Sequence, residues 1–174
     1  QYHFNNIGTL PFNINVDKIN PLLDVTFDGV HIMNGDIVSA KPLITMSLKD
    51  ENTFFALNDT SDFEVYIKSP SKTSFDRIYF GSKMIFYPAS LPNNSCRINY
   101  TPLLSDGKYE LKVQAKDRTG NNSGNIEYKI TFEIINKPTV TSVLNYPNPF
   151  STSTRFVFTL TGSEVPDYFK IQIL

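Results

Sequence analysis

The sequence has a single cysteine, two histidines and no tryptophan among its 174 residues. One thiol cannot form an intrachain disulfide, so a domain in this chain must be stabilised by its core. The 16 basic and 17 acidic residues leave a net charge of −1. This balance is evidence against a nucleic-acid or anionic-membrane partner, because both require concentrated positive charge. No run of about 18 apolar residues occurs, so no membrane-spanning segment is predicted.

Groups that could carry catalysis are scarce. Neither His3 nor His31 lies near a serine or cysteine in a recognisable nucleophile motif, and G-x-S-x-G is absent. Cys96 alternates with Ile98 and Tyr100, which favours a buried structural thiol over a reactive one. The eight glycines lie in turn-like contexts and form no phosphate-binding pattern. The chain is therefore predicted to be non-catalytic and to need no organic cofactor.

Aromatic residues are abundant, with 14 Phe and 9 Tyr, and apolar residues make up 40% of the chain, enough to build a core. Helical periodicity never persists for more than about two turns. The chain instead consists of short alternating runs separated by turn residues, which is typical of a β-sandwich. The predicted apolar strand faces include Ile44, Met46 and Leu48; Phe63, Val65 and Ile67; and Ile126, Tyr128, Ile130, Phe132 and Ile134.

The clearest fold signal is the turn Asp106-Gly107 just before Tyr109, at the start of an alternating strand. This arrangement resembles the tyrosine corner of immunoglobulin-like (Ig-like) domains, in which a buried tyrosine donates its hydroxyl to nearby backbone. Leu111 occupies the position of the disulfide cysteine of antibody domains, so packing replaces the bridge. The sequence predicts an all-β fold, an Ig-like β-sandwich with partial flanking β modules.

Four segments follow from the positions of the turns and prolines. Residues 1–20 are predicted to be the end of a preceding β domain and a linker, and residues 21–136 the Ig-like sandwich. Residues 137–142 are predicted to be a second linker, and residues 143–174 a truncated Ig-like module. The start of the chain lacks the features of a signal peptide, so we expect a cut inside a longer protein.

Carboxylates in two loops suggest a metal site. In an Ig-like sandwich, the loop after the second strand and the loop before the last strand lie at the same end. The first loop contains Asp50 and Glu51, and the second contains Asp117 and Asn121. Calcium takes about six to eight oxygen ligands from such groups, so Ca²⁺ is the one candidate ion. The alternative is that these residues only form turns.

A proline-rich segment precedes the last predicted strands. Its two prolines fix φ near −65° and disfavour helix in the residues before them, and the following strand alternates with Phe156 and Phe158 on one face. The segment consists of Asn145, Tyr146, Pro147, Asn148, Pro149 and Phe150. It resembles the start of the C-terminal Ig-like modules of surface proteins exported by the type IX secretion system of Bacteroidota. It is also similar to the Ig-like part of flagellar hook-capping proteins.

The resemblance extends to residues 21–136, which are similar to the Ig-like domain that precedes such modules in large Bacteroidota surface proteins. Relatives of the gingipain-like cysteine-peptidase sortase are among these proteins. The resemblance implies a secreted or outer-membrane surface location. It also implies contacts with the secretion machinery, or with neighbouring domains or chains, through β-strands.

Three hypotheses for function follow. The chain is a non-catalytic structural and sorting region, or the accessory region of a peptidase whose catalytic residues lie upstream. The third hypothesis is a glycan- or protein-binding sandwich that uses exposed tyrosines such as Tyr66, Tyr79 and Tyr87. Residues 143–174 offer about three strands, too few to bury their apolar side chains, so we expect them to need a partner surface for order.

Overall fold

A computed structural model describes residues 9–13, 17–138, 140–162, 167–168 and 170–172 of the chain. Within these residues, regular structure consists of strands and one 3₁₀ turn at Thr60–Asp62. The strands are β1 (Leu22–Phe27), β2 (Asp36–Val38), β3 (Ile44–Lys49), β4 (Phe63–Lys68), β5 (Asp76–Ile78), β6 (Met84–Tyr87), β7 (Ser95–Tyr100), β8 (Gly107–Ala115), β9 (Tyr128–Ile134), β10 (Val140–Tyr146) and β11 (Arg155–Leu160).

Nine of these strands form two sheets that pack face to face. The first sheet has the order β1-β3-β7-β6, and the second has the order β2-β9-β8-β4-β5. All neighbours are antiparallel except β2 and β9, which are parallel. The first order matches strands A-B-E-D of the immunoglobulin fold, and β4, β8 and β9 match C, F and G. The predicted all-β, Ig-like sandwich is confirmed.

The core lies between the two sheets, where alternate residues of each strand face inward. Ile44, Met46 and Leu48 are fully buried in the first sheet, and Leu111 and Val113 are fully buried in the second. Phe63, Val65 and Ile67 of β4 are buried as well, so the predicted faces of β3 and β4 are confirmed. Burying a side chain of this size stabilises the fold by roughly 1.5–3 kcal/mol relative to exposure, which explains how the domain holds together without a disulfide.

The region of the Asp106-Gly107 turn has the contacts of a tyrosine corner. The Tyr109 hydroxyl donates to the Ser105 carbonyl oxygen at 3.1 Å, and its ring stacks on Phe132 with 5.6 Å between centroids. Gly107 has a φ of +132°, and a Cβ atom there would lie 2.5 Å from Pro70 Cγ. Asp106 accepts hydrogen bonds from the backbone and side chain of Asn136, which follows β9.

The last strand of the sandwich is shorter than predicted. β9 begins at Tyr128, and Ile126 lies outside it with 86% of its surface exposed, so the prediction that Ile126 belongs to the core-facing row is wrong. The chain turns here: Lys116 forms an isolated bridge with Asn122, and Gly124 adopts a φ of +152°. The alternation of apolar residues cannot reveal where pairing with β8 stops.

The remaining two strands, β10 and β11, form a separate antiparallel hairpin, paired from Val140 with Leu160 to Tyr146 with Arg155. Because β10 begins at Val140, its pairing extends into the predicted linker. After β11, Thr161 donates to the Lys137 carbonyl oxygen at 2.7 Å. The hairpin is thus hydrogen-bonded at its base to the segment that follows β9. Of the predicted third strand, Phe169 and Ile173 lie outside the described residues, as does the Ile14–Val16 part of the predicted first segment.

Candidate metal centre

Three aspartates meet at the end of the sandwich where the chain enters β1. Asp17 precedes β1, Asp50 follows β3 directly, and Asp117 follows β8. One carboxylate oxygen of each lies within 4.8 Å of one oxygen of the other two. Because β3 and β8 belong to different sheets, the cluster contains one group from each sheet and one from the incoming segment.

The predicted site residues divide into two groups. Asp50, Asp117 and Asn121 come together as expected, and the Asn121 side-chain amide donates to Asp117 Oδ2 at 2.7 Å. Glu51 is exposed and is not a member of the cluster. Its place is taken by Asp17, which lies in the segment predicted to be the end of a preceding β domain and a linker and was not a predicted ligand. The only local signal is a turn in which Asp17 Oδ1 accepts from the Ile19 amide at 2.9 Å.

Asparagine amides hold one oxygen of each carboxylate in place. Asn52 donates to Asp17 Oδ2 at 2.8 Å, and Asn94 donates to Asp50 Oδ2 at 3.4 Å. These neutral donors orient the carboxylates but do not neutralise their charge. Among the described residues, no lysine or arginine forms an ion pair with any of the three aspartates.

The second oxygen of Asp50 is the least satisfied atom of the cluster. Asp50 is 6% exposed, and its Oδ1 is shielded from solvent and accepts no hydrogen bond from the described residues. Burial raises the pKa of Asp50 above its ordinary value. The Asn52 backbone amide lowers that pKa in part, while the charges of Asp117 and Asp17 raise it further. A buried acceptor of this kind normally has a partner.

The pKa of Asp117 is shifted in the opposite direction from that of Asp50. Burial alone would raise the pKa of Asp117, but hydrogen bonds from Asn121 and Thr119 outweigh that effect and lower it. Asp117 Oδ1 accepts from both backbone amides and from the Thr119 hydroxyl, at 2.8–2.9 Å. The Asp117 carboxylate is therefore held as an anion, 2% exposed.

A second pair of aspartates nearby provides a contrast. Asp59 and Asp62 both lie beside Arg118, whose Nη1 is 3.2 Å from Asp59 Oδ2 and 3.5 Å from Asp62 Oδ2. Burial raises the pKa of Asp62, and the Arg118 charge opposes that effect. This pair has a cation of its own, whereas the cluster of Asp17, Asp50 and Asp117 has none among the described residues.

His31 and Cys96, the two groups considered for catalysis that lie within the described residues, have unreactive surroundings. His31 pairs with Asp24 at 2.7 Å on the surface, with 72% of its side chain exposed. Cys96 is 3% exposed, and burial raises the pKa of its thiol to about 12. The thiol therefore stays protonated at neutral pH. His3 lies outside the described residues, and the predicted lack of catalysis stays a prediction.

The tyrosines proposed for glycan stacking have cations near their rings. Tyr66 is only partly exposed, with Lys112 at 5.6 Å from its ring centroid. Tyr79 and Tyr87 are exposed, but the guanidinium of Arg77 lies 5.3 Å from the first and that of Arg97 lies 4.4 Å from the second. A sugar would have to displace these cation–π contacts in order to stack.

The proline-rich segment forms the exposed end of the β10–β11 hairpin. Tyr146 and Phe150 are 69% and 55% exposed, and the Thr154 hydroxyl donates to the Pro147 carbonyl oxygen at 3.0 Å. The peptide bonds before Pro147 and Pro149 are cis. The two aromatic rings of the segment are thus presented at the surface.

Comparison of the chain with protein-family models and with curated proteins gave no match. Within the described ranges, no helix has the length and apolar character needed to cross a bilayer.

Proposed function

We propose that this chain is a non-catalytic structural and sorting region of a secreted or cell-surface protein of Bacteroidota. The sandwich is a spacer, and the β10–β11 hairpin is part of the surface that the type IX secretion machinery contacts. The observation that carries the proposal is the exposed segment from Tyr146 to Phe150 at the end of a separate hairpin.

The course of the chain through the sandwich supports a spacer role. Leu22 begins β1 opposite Lys49, which is next to Asp50. This strand therefore begins at the end of the sandwich that holds the aspartate cluster. Ile134 ends β9 opposite Gly107, at the other end of β8. The chain thus enters at one end of the sandwich and leaves at the opposite end. A strand of nine residues such as β8 covers roughly 30 Å, which is the separation the sandwich places between its neighbours.

The hairpin has the surface of a contact element. Its two strands expose large apolar side chains on both faces, and an isolated two-stranded ribbon is marginally stable in water. Exposed apolar groups of this kind mark sites of contact with other proteins. The most exposed apolar side chains of the hairpin are Val143, Leu144, Tyr146 and Val157 on the strands and Phe150 in the segment between them.

Export of the full-length parent protein from its native bacterium tests this role. Phe150→Ser should reduce the surface fraction and increase the periplasmic fraction, because it removes an aromatic side chain that the machinery contacts. The matched control is Phe80→Ser, since Phe80 lies on the sandwich and is 48% exposed against 55% for Phe150. Equal surface fractions for wild type and Phe150→Ser would contradict the proposed sorting role.

The accessory region of a gingipain-like cysteine peptidase is the second candidate. It is favoured by the contact of the preceding segment with the sandwich, since Asn121 donates to the Asp17 carbonyl oxygen at 3.2 Å. The sequence upstream of Gln1 tests it. A peptidase domain with its own cysteine and histidine would support this role, and any other domain type would contradict it.

A further inference from the structure

We propose that Asp17, Asp50 and Asp117 bind one Ca²⁺ ion, which joins the segment preceding β1 to the loops of both sheets. Beyond the expectation from sequence, the site includes Asp17 in place of Glu51. The ion therefore fixes how the preceding part of the protein enters the sandwich.

The charge of the cluster calls for a cation. Three carboxylates converge within 4.8 Å, and no described basic side chain pairs with them. Two of the three are nine-tenths or more buried, with Asp50 at 6% and Asp117 at 2% exposure. Buried charges in proteins are normally paired or coordinate a metal.

Asp50 Oδ1 provides the independent observation. It is a buried acceptor with no hydrogen-bond donor among the described residues, on a side chain whose carboxylate belongs to the cluster. Its sister oxygen is held by Asn94. A bound cation gives Oδ1 the partner that the protein does not supply.

The ligand atoms favour calcium over other common ions. The three side chains offer only carboxylate oxygens, whereas zinc sites in proteins are built largely from histidine and cysteine. Magnesium requires near-ideal octahedral geometry, and calcium accepts the irregular geometry of loops. Three carboxylates leave the other coordination positions to carbonyl oxygens and water.

The position of Asp17 gives the ion a mechanical role. The Asn52 side-chain amide donates to the Asp17 carboxylate, and the Asn121 side-chain amide donates to the Asp17 backbone carbonyl oxygen. Both donors are neutral. Without a cation, Asp17 faces two like charges, which oppose its docking. When the cation is bound, it attracts the Asp17 carboxylate. The segment that precedes β1 is then held rigidly against the sandwich.

Calcium titration of the 174-residue chain, stripped of metal with EDTA, tests the proposal at neutral pH. Calorimetry should give one saturable site, with a dissociation constant on the order of 10⁻⁴–10⁻³ M as in extracellular modules. The thermal midpoint should rise over the same range. Hydrogen exchange at the Ile19 amide, which donates to Asp17, should slow when calcium is added.

Two variants make the test specific. Asp50→Asn should weaken calcium binding at least about tenfold, and Asp17→Asn, at a partly exposed position outside the sandwich, should do so without affecting the fold. Asp59→Asn is the matched control, because Asp59 pairs with Arg118, and it should bind like wild type. Absence of saturable binding, an equal response to Mg²⁺, or unchanged affinity in both site variants would overturn the proposal. A wild-type chain stabilised by acidification in EDTA but not by calcium would show that a proton occupies the cluster instead.

Discussion

Asp50→Asn is expected to change the sign of its effect on stability when calcium is added. Two unit charges 4.8 Å apart repel by about 3.5 kcal/mol at an effective dielectric constant of 20. In the calcium-free protein, Asp50 experiences this repulsion from Asp117, and a weaker one from Asp17, which is partly exposed. The substitution removes that repulsion. It also removes a buried acceptor that has no donor, and such an acceptor destabilises the wild type by about 1–3 kcal/mol.

The repulsion cannot be recovered in full, because a raised pKa already relieves part of it. We therefore expect Asp50→Asn to stabilise the calcium-free chain by about 1–3 kcal/mol at neutral pH. In saturating calcium the wild type gains the binding free energy and the variant does not, so the substitution should then be destabilising.

Urea unfolding, in EDTA and in calcium, measures both effects on one protein. The midpoint of Asp50→Asn should be above that of wild type in EDTA and below it in calcium. Asp59→Asn should show no such reversal. If Asp50→Asn lowers the midpoint equally in both conditions, the carboxylate has only a packing role and the electrostatic reasoning is refuted.

Three further predictions concern the sandwich and the hairpin. Tyr109→Ala should destabilise the chain by about 3–5 kcal/mol, because the ring stacks on Phe132; a loss below about 1 kcal/mol in urea unfolding would rule out the tyrosine corner. The folded pKa of Asp62 is raised by burial, so its contribution to stability is present below the unfolded value of 3.8 and is lost as pH rises through the folded value. Asp62→Asn should therefore gain stability relative to wild type as pH rises from 3.8 through the folded value, and the difference should be constant at higher pH; a difference in unfolding free energy that does not change with pH across that window would refute this. In hydrogen exchange of dilute monomer, β10 and β11 should be less protected than β8 and β9, since a two-stranded ribbon is marginally stable alone; equal protection would show that the hairpin needs no partner.

Local sequence signals were sufficient for the sandwich. The Asp106-Gly107 turn and the alternation from Tyr109 onward depend on neighbouring residues only, so they predict both the strand and the hydroxyl contact. Asp50 and Asp117 could be placed together because strand order in an Ig-like sandwich fixes which loops share an end. The fold thus supplied the long-range step in that prediction.

The predictions that were wrong concern residues whose positions depend on contacts that sequence spacing does not encode. Glu51 and Asp50 are adjacent, and only the structure shows which carboxylate faces the cluster and which is exposed. Asp17 reaches the site because the segment before β1 docks on the loops. Ile126 continues an alternating pattern, but its backbone lies beyond the last pair between β8 and β9.

Site-specific photo-crosslinking in the native bacterium tests the proposed sorting role most directly. A crosslinking amino acid is placed in the full-length protein at Tyr146 on the hairpin, or at Tyr79 on the sandwich as the control; the two side chains are 69% and 75% exposed. We expect an adduct with a component of the type IX secretion machinery from position 146 and none from position 79. No adduct from position 146, or equal adducts from both positions, would contradict it.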